Sequence, residues 1–139
     1  MIIRPYAEGD EEAAVALWRV VFPDAPARND PRRDLRRKLA VQRELFLVAE
    51  EDGAAVGTAM AGYDGHRGWV YYVAVAPAYR RRGIGAALMR RVEEALKAVG
   101  CGKLNLQVRA GNDGAVAFYR DLGYEVEERV SMGKRLGES

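Results

Sequence analysis

The chain has 139 residues, enough for one domain whose core needs neither a disulfide nor a metal to hold it. Hydrophobic residues make up 49% and charged residues 30%, a composition typical of folded globular domains. The formal net charge of +2 gives no global field that favours nucleic acid or a membrane as a partner. The single cysteine, Cys101, and the single histidine, His66, exclude a disulfide framework and a multi-histidine metal centre. We therefore expect no metal, and the lack of a leader-like or membrane-spanning stretch predicts the cytoplasm.

The first half of the chain predicts a strand, two helices and an antiparallel meander. Residues 2–6 favour a strand, and Asp10 can cap a helix that carries one apolar face. Asp30 followed by Pro31 predicts the start of a second helix. Three β-prone segments separated by polar turns follow, at 45–50, 54–63 and 69–76.

The second half predicts helices alternating with strands. Ile84 begins an apolar repeat at helical spacing that ends before Gly100. A strand is predicted at 103–109, a short helix opens at Asn112, and the last strands are predicted at 124–129 and 131–136. The whole is an α/β (α+β) fold, a single domain over 1–139, with a mixed, mostly antiparallel sheet of six to seven strands and about four helices.

The second helix is unusually basic over residues 32–38. We interpret this segment as a solvated face in which Asp34 pairs with Lys38 one turn later. The alternative is a positively charged rim that attracts an acidic substrate or a phosphate group. The segment has no interleaved aromatic residues, which argues against binding to nucleic acid.

An anion-binding loop is predicted where the strand at 69–76 leads into the helix at Ile84. Two glycines remove Cβ atoms where a ligand approaches the backbone, and the first amides of a helix attract phosphate. Three consecutive arginines add positive charge at the same place. The loop lacks the Gly-Lys-Ser/Thr of a nucleotide-binding P-loop and the third glycine of a dinucleotide fingerprint. Its residues are Arg80, Arg81, Arg82, Gly83, Ile84, Gly85 and Ala86.

These residues resemble the GNAT superfamily of acetyl-CoA-dependent N-acetyltransferases, in its small stand-alone bacterial form. Arg80 to Gly85 match the family's Q/R-x-x-G-x-G/A loop, and Val73–Val75 with Pro77 match the strand before it. The run from Arg109 to Tyr124 matches the family's N-x-x-A-x-x-x-Y-x-x-x-G-[FY] region. The two motifs keep the family's order and separation, and the resemblance covers nearly the whole chain.

The resemblance implies a fold in which strands four and five splay apart and acetyl-CoA lies in the wedge. Backbone groups of Val73, Ala74 and Val75 would pair with the pantetheine arm, and an N–H there would stabilise the oxyanion. The amides from Arg81 to Ala86 would hold the pyrophosphate. Asn112 would contact the coenzyme, cap its own helix, or do both. Tyr119 would protonate the departing CoA thiolate; otherwise it is a core aromatic.

The proton acceptor for the attacking amine stays open. The family often places a glutamate on strand four or five. In its ribosomal-protein-type members this glutamate stands two residues before the Arg-Ala-x-Asn segment, where this chain has Gln107. Asp64 and His66 in a polar turn are the remaining titratable pair, and a water relay is the alternative.

The expected activity is direct acetyl transfer, through a ternary complex, to a primary amine of a small molecule or peptide, by a monomer or homodimer. The alternative is a non-catalytic module that senses CoA.

Overall fold

The structure, a computed structural model, describes residues 1–26 and 29–137. The chain divides into two compact units, Met1–Leu106 and Gln107–Ser139. The strands of the first unit are β1 (Ile2–Pro5), β2 (Phe46–Glu51), β3 (Ala54–Tyr63), β4 (Gly68–Val75) and β5 (Leu104–Asn105). Its helices are α1 (Glu11–Val21), α2 (Pro31–Lys38) and α3 (Ile84–Ala98), and the second unit contains α4 (Asp113–Asp121).

The sheet follows the chain, in the order β1-β2-β3-β4-β5. The first four strands are antiparallel neighbours, and β5 pairs with β4 in parallel. A parallel neighbour needs a crossover, and α3 supplies it between β4 and β5. The predicted mixed, mostly antiparallel sheet with four helices is confirmed.

The predicted count of six to seven strands is too high, because five strands form among the described residues. The segment predicted as a strand at 103–109 keeps strand pairing only at Leu104–Asn105. The described residues of 124–129 and 131–136 form no strand. Their apolar side chains are largely exposed, Val126 at 68% and Leu136 at 92%, so no buried face stabilises pairing there.

Helices cover both faces of the first unit's sheet. Phe46 and Val48 of β2 point toward α1, where Trp18 stacks on the Phe46 ring at 5.9 Å. The residues of β2 that alternate with these two point to the opposite face of the sheet, and α3 covers that face. The approach of α3 is close, since a Cβ built on Gly57 would lie 3.1 Å from a methyl group of Leu88. The core therefore lies in two layers, one on each side of β2 and β3.

The prediction that the Asp10 side chain caps α1 is wrong. Asp10 does precede the helix, but its carboxylate accepts the Ala7 N–H at 2.8 Å and two Arg4 guanidinium hydrogen bonds at 2.7 and 3.0 Å. A charged partner from β1 outcompetes the helix amides. By contrast Asp30 caps α2 as predicted, accepting the Arg32 N–H at 3.3 Å.

The predicted pairing of Asp34 with Lys38 is also wrong. Asp34 accepts a hydrogen bond from the Tyr72 hydroxyl at 2.6 Å, and the Lys38 ammonium donates to the Ala61 carbonyl. Two other basic residues of α2 form ion pairs with α1: Arg32 lies 2.8 Å from Glu11, and Arg36 lies 2.9 Å from the same carboxylate. These contacts favour a structural role for much of the basic helix over a binding rim.

Over residues 1–26 and 29–137, no helix has the length and apolar character that crossing a membrane requires. The same residues contain no cluster of three or more His, Cys, Asp or Glu side chains placed to hold a metal ion.

Candidate functional site

The loop from Arg80 to Gly83 brings the chain from β4 into α3 by way of two left-handed residues. Arg81 has φ +65° and Gly83 has φ +77°. A left-handed residue costs little at glycine but is uncommon elsewhere, so Arg81 is the more strained of the two. A Cβ built on Gly83 would meet nothing within 4 Å, so the space beside the helix start is open.

The backbone at the start of α3 offers amides to an anion. The first hydrogen bond across this end of α3 runs from the Ala87 N–H to the Gly83 carbonyl at 3.0 Å, so the three amides from Ile84 to Ala86 precede the helical ladder. The first turn contains no acidic residue, and Gly83 has no side chain to cap it. The helix dipole places partial positive charge at these amides. Such an arrangement fits a phosphate or pyrophosphate group.

The three arginines around this helix start are exposed, and two have defined contacts. The Arg80 Nε lies 3.4 Å from the Val75 carbonyl oxygen. The Arg82 guanidinium lies 4.9 Å from the centre of the Tyr79 ring, a cation–π contact. Because their charged ends remain accessible to solvent, the arginines can add to the attraction that the amides exert on an anion.

The backbone of β4 presents an unpaired edge beside β5. The Ala76 N–H donates to the Val56 carbonyl at 2.8 Å, and Ala74 lies opposite Thr58. Alternation along an antiparallel strand therefore turns the N–H and C=O groups of Val73 and Val75 away from β3. In the described part of residues 1–106, strand pairing on that side of β4 ends at Trp69. This divergence of β4 and β5 agrees with the predicted splay.

β4 also contains a bulge. Thr58 lies opposite Ala74 but Met60 lies opposite Tyr71, so Tyr72 and Val73 together face Ala59. Tyr72 has φ +52°, in the left-handed region. Two adjacent tyrosines in a strand carry no local signal for a bulge, so the sequence does not predict this feature.

In the second unit, Asn112 caps α4 as predicted. Its side-chain oxygen accepts the Ala115 N–H at 3.1 Å. Tyr119 lies on the same helix and contacts Phe118 and Tyr124 edge to face, with ring centres 4.9 and 5.8 Å apart. Burial raises the pKa of the Tyr119 phenol, which keeps it protonated. Gln107 donates to the Ser131 hydroxyl at 2.5 Å.

The polar turn at 64–68 is held by its own aspartate. The Asp64 carboxylate accepts the N–H groups of His66 and Arg67 at 2.8 and 2.7 Å. These backbone donors lower the pKa of Asp64, which opposes a role as proton acceptor. His66 is exposed beside Arg67, whose guanidinium lies 3.5 Å from its ring nitrogen.

Comparison with known proteins supports the same family. The family model described as the GNAT acetyltransferase family matches residues 11–124. An acetyltransferase of Yersinia enterocolitica is 47% identical over 136 residues, which are 98% of this chain and 96% of that protein.

Solved structures show the same fold. The aminoglycoside 6'-N-acetyltransferase of Acinetobacter haemolyticus has a TM-score of 0.79 at 24% identity, over 99% of this chain and 100% of that one. The aminoglycoside N-acetyltransferase AAC(6')-Iy, solved with a bisubstrate analogue of CoA, has a TM-score of 0.79 at 22% identity, over 96% and 97% of the two chains. With the family match, the relative and the geometry of the helix start in agreement, this chain belongs to the GNAT family of N-acetyltransferases.

Proposed function

We propose that the protein transfers the acetyl group of acetyl-CoA directly to a primary amine of a small molecule or peptide, with both substrates bound together. The observation that carries this proposal is the start of α3, which has free amides, an open glycine and three exposed arginines, and whose first turn contains no acidic residue. The CoA analogue bound to the structurally similar aminoglycoside enzyme supports the choice of coenzyme.

The residues present fit acetyl-CoA. The amides from Arg81 to Ala86 would hold the pyrophosphate, with Arg80 and Arg82 neutralising its charge. The open edge at Val73–Val75 would pair with the pantetheine amides as an added strand does. Asn112 would contact the coenzyme while capping α4. When bound, acetyl-CoA supplies the thioester carbon that the amine attacks and the thiolate that leaves.

Backbone donors on β4 would stabilise the charge that develops during transfer. An N–H group in Val73–Val75 would donate to the thioester carbonyl oxygen, and a preorganised donor does so without reorientation. Tyr119 would give its phenolic proton to the departing thiolate, because the raised pKa keeps that proton in place at neutral pH. Cys101 takes no part in this scheme, since the amine attacks the thioester directly.

The attacking amine must lose a proton first. With a pKa of about 10.4, a lysine-like amine is roughly 1 part in 2,500 neutral at pH 7, which costs about 4.6 kcal/mol. Gln107 cannot accept that proton at neutral pH, and the Asp64 carboxylate is engaged by its own turn. We therefore assign the deprotonation to His66 or to a relay through water.

The test is a screen of amine acceptors, from polyamines and aminoglycosides to peptide N-termini and lysines, with release of the CoA thiol as the readout. We expect thiol only when acetyl-CoA and a suitable amine are both present. Thiol release that does not depend on any amine would contradict the proposal. Mass spectrometry of the protein after incubation with acetyl-CoA tests the direct route, and an acetyl group on Cys101 would overturn it.

A further inference from the structure

One left-handed residue of the first unit, Tyr72, lies within β4, between the part that pairs with β5 and the open edge at Val73–Val75. Before the bulge, even-numbered residues direct their backbone groups toward β5, as the Gly68 N–H shows by donating to the Lys103 carbonyl at 2.8 Å. After the bulge, the odd-numbered residues Val73 and Val75 face that side. If β4 alternated regularly through Tyr72, without a bulge, Val73 and Val75 would face β3 instead. The bulge thus determines which backbone groups the open edge presents.

Tyr72 is held in this conformation at three points. Its hydroxyl donates to the Asp34 carboxylate of α2 at 2.6 Å. Its ring stacks on Trp18 of α1 with centres 3.9 Å apart, and Phe22 contacts the ring edge on. Its carbonyl oxygen accepts the Thr58 hydroxyl at 2.8 Å, and that hydroxyl in turn accepts the Trp18 indole N–H at 2.8 Å.

Two of these three contacts, the ring stack and the hydrogen bond to the Tyr72 carbonyl, involve buried partners. Trp18 is 1% exposed and Thr58 0% exposed, so the stack and the hydroxyl relay belong to the core. The third point, the bond to Asp34, lies at the half-buried end of the tyrosine. A left-handed conformation at a bulky residue persists only where its surroundings enforce it, and such residues concentrate at functional sites.

We propose that Asp34 and Tyr72 form a positioning pair: their hydrogen bond keeps the β4 bulge in the register that presents Val73 and Val75 to acetyl-CoA. This inference rests on the proposed function, which assigns that edge to the coenzyme. Neither side chain has to touch the reacting atoms. Burial and the bond to Asp34 raise the pKa of Tyr72, so its hydroxyl remains a donor throughout the neutral range.

The experiment compares four variants with the wild-type protein. Tyr72→Phe removes only the hydroxyl and keeps the stack on Trp18, and Asp34→Ala removes the acceptor. Asp34→Asn keeps an acceptor oxygen and serves as the conservative rescue. Tyr71→Phe is the matched control, because Tyr71 is the neighbouring tyrosine, is 52% exposed and lies outside the bulge.

The first readout needs no coenzyme and no acceptor. Backbone carbon chemical shifts of residue 72 in isotopically labelled protein report a positive φ. We expect Asp34→Ala and Tyr72→Phe to move these shifts toward extended values, while Asp34→Asn and Tyr71→Phe leave them unchanged. Retention of the left-handed shifts in Asp34→Ala, with the protein folded by circular dichroism, would overturn the proposal.

The second readout is kinetic, with an amine that the acceptor screen selects. We expect kcat to fall about tenfold in Tyr72→Phe and Asp34→Ala, since small misplacements of a reacting group cost factors of this size or more. A fifth variant, which combines Tyr72→Phe with Asp34→Ala, should lose little more than either single one. The calorimetric dissociation constant of acetyl-CoA should rise in the same two variants, because the displaced Val73 and Val75 no longer pair with the pantetheine arm. A Tyr72→Phe effect no larger than that of Tyr71→Phe would contradict the proposal.

The two readouts separate this inference from the proposed function. If the wild-type protein turned over no amine in the screen, the proposed function would fail. The chemical shifts of residue 72 would still decide whether Asp34 maintains the bulge.

Discussion

Three aspartates of the first unit differ in whether their hydrogen-bond partners are local in the sequence. Asp30 caps the helix beside it, and Asp64 holds its own turn. Asp10 accepts the nearby Ala7 N–H but also binds the Arg4 guanidinium of β1, six positions earlier. The first two contacts depend on neighbours within three residues, so local sequence predicts them. The third depends on a partner brought by the fold, and no local pattern indicates it.

At the scale of single residues, we predict that Tyr119→Phe lowers kcat about tenfold to a hundredfold, with the affinity for acetyl-CoA preserved. General acid catalysis typically contributes factors of 10²–10⁴, and solvent replaces part of a missing acid. The phenol is held by aromatic neighbours on both sides, and phenylalanine keeps those contacts.

Steady-state thiol release and calorimetry with acetyl-CoA measure the two quantities in Tyr119→Phe. Tyr63→Phe is the control, since that hydroxyl contacts the Gly65 carbonyl at 3.1 Å, at the polar turn after β3. Equal kcat values for Tyr119→Phe and the wild-type protein would show that Tyr119 is not the general acid.

The sequence predicts the hydrogen-bond partner of a side chain when that partner is a near neighbour in the chain. It does not predict a partner on a distant element. Asn112 as a helix cap follows from its position before α4. Asp34 was expected to pair with Lys38 one turn away, yet it binds Tyr72, 38 positions along the chain. A bond between α2 and β4 depends on tertiary packing, which outweighs the few tenths of a kcal/mol that a helix-surface ion pair contributes.

Among the secondary-structure elements, the strongest prediction concerns the start of α3. The repeat of apolar residues from Ile84 predicts the helix, and the buried side chains of Leu88, Val92 and Leu96 confirm it. The anion-binding pattern predicts that a ligand approaches the backbone at Gly83, just before the helix. In the structure Gly83 is left-handed, with open space beside it. Both features are encoded within a few residues, which is why sequence alone reveals them.

We predict that Gly83→Val abolishes measurable binding of acetyl-CoA while the protein remains folded. A β-branched side chain fills the open space before the first amides of α3 and is strained at φ +77° by about 1–3 kcal/mol. Calorimetry with acetyl-CoA and circular dichroism measure the two effects.

The matched control is Gly100→Val at the other end of the same helix. Gly100 has φ +91° and the same open surroundings, so the substitution imposes comparable strain without touching the anion site. It should destabilise the protein to a similar degree and leave the dissociation constant unchanged. If both variants bound the coenzyme equally, the pyrophosphate would have to be assigned to another place.

The strand predictions were accurate in the middle of the chain and wrong near its end. The boundaries of β3 match the prediction, and those of β4 differ by one residue. The strands predicted at 124–129 and 131–136 do not form in the described residues. The β propensity of valine and tyrosine expresses packing on a sheet face rather than a backbone preference, and Val126 and Met132 are 68% and 90% exposed.

For the molecule as a whole, the fold class and the family followed from the order of the elements and two motifs, whereas the acceptor did not. Many substrates share one fold, and the surfaces that select them are built from long-range contacts. The contact between Trp18 and Tyr72, on α1 and β4, is of that kind. Its details emerge only when the sheet and its helices are assembled.

We predict that the free energy of unfolding falls as the pH drops below about 4, in part through Asp10. Burial acts to raise the pKa of Asp10, but the hydrogen bonds from Arg4 and the Ala7 N–H lower it overall. A lowered folded-state pKa stabilises the protein above the unfolded value of about 3.9, and this contribution is lost as the pH falls through the folded value.

Asp10→Asn should therefore cost about 1.5–3 kcal/mol near pH 7, the range for hydrogen bonds to charged groups, and flatten the acid limb of the stability curve. Urea unfolding at a series of pH values measures both. Asp52→Asn, in the exposed turn between β2 and β3, is the control and should leave the curve unchanged. An acid limb equally steep in Asp10→Asn and wild type would show that other carboxylates cause it.

The stack of Trp18 on Tyr72 also gives the protein a built-in optical probe. The chain has two tryptophans, and replacing Trp69 with phenylalanine would leave the buried indole of Trp18 as the sole emitter. Since that indole touches the tyrosine ring at 3.9 Å and donates its N–H to Thr58, its emission wavelength and lifetime respond to any rearrangement of the strand. Fluorescence in a stopped-flow instrument could then follow the strand in real time as coenzyme arrives and product departs.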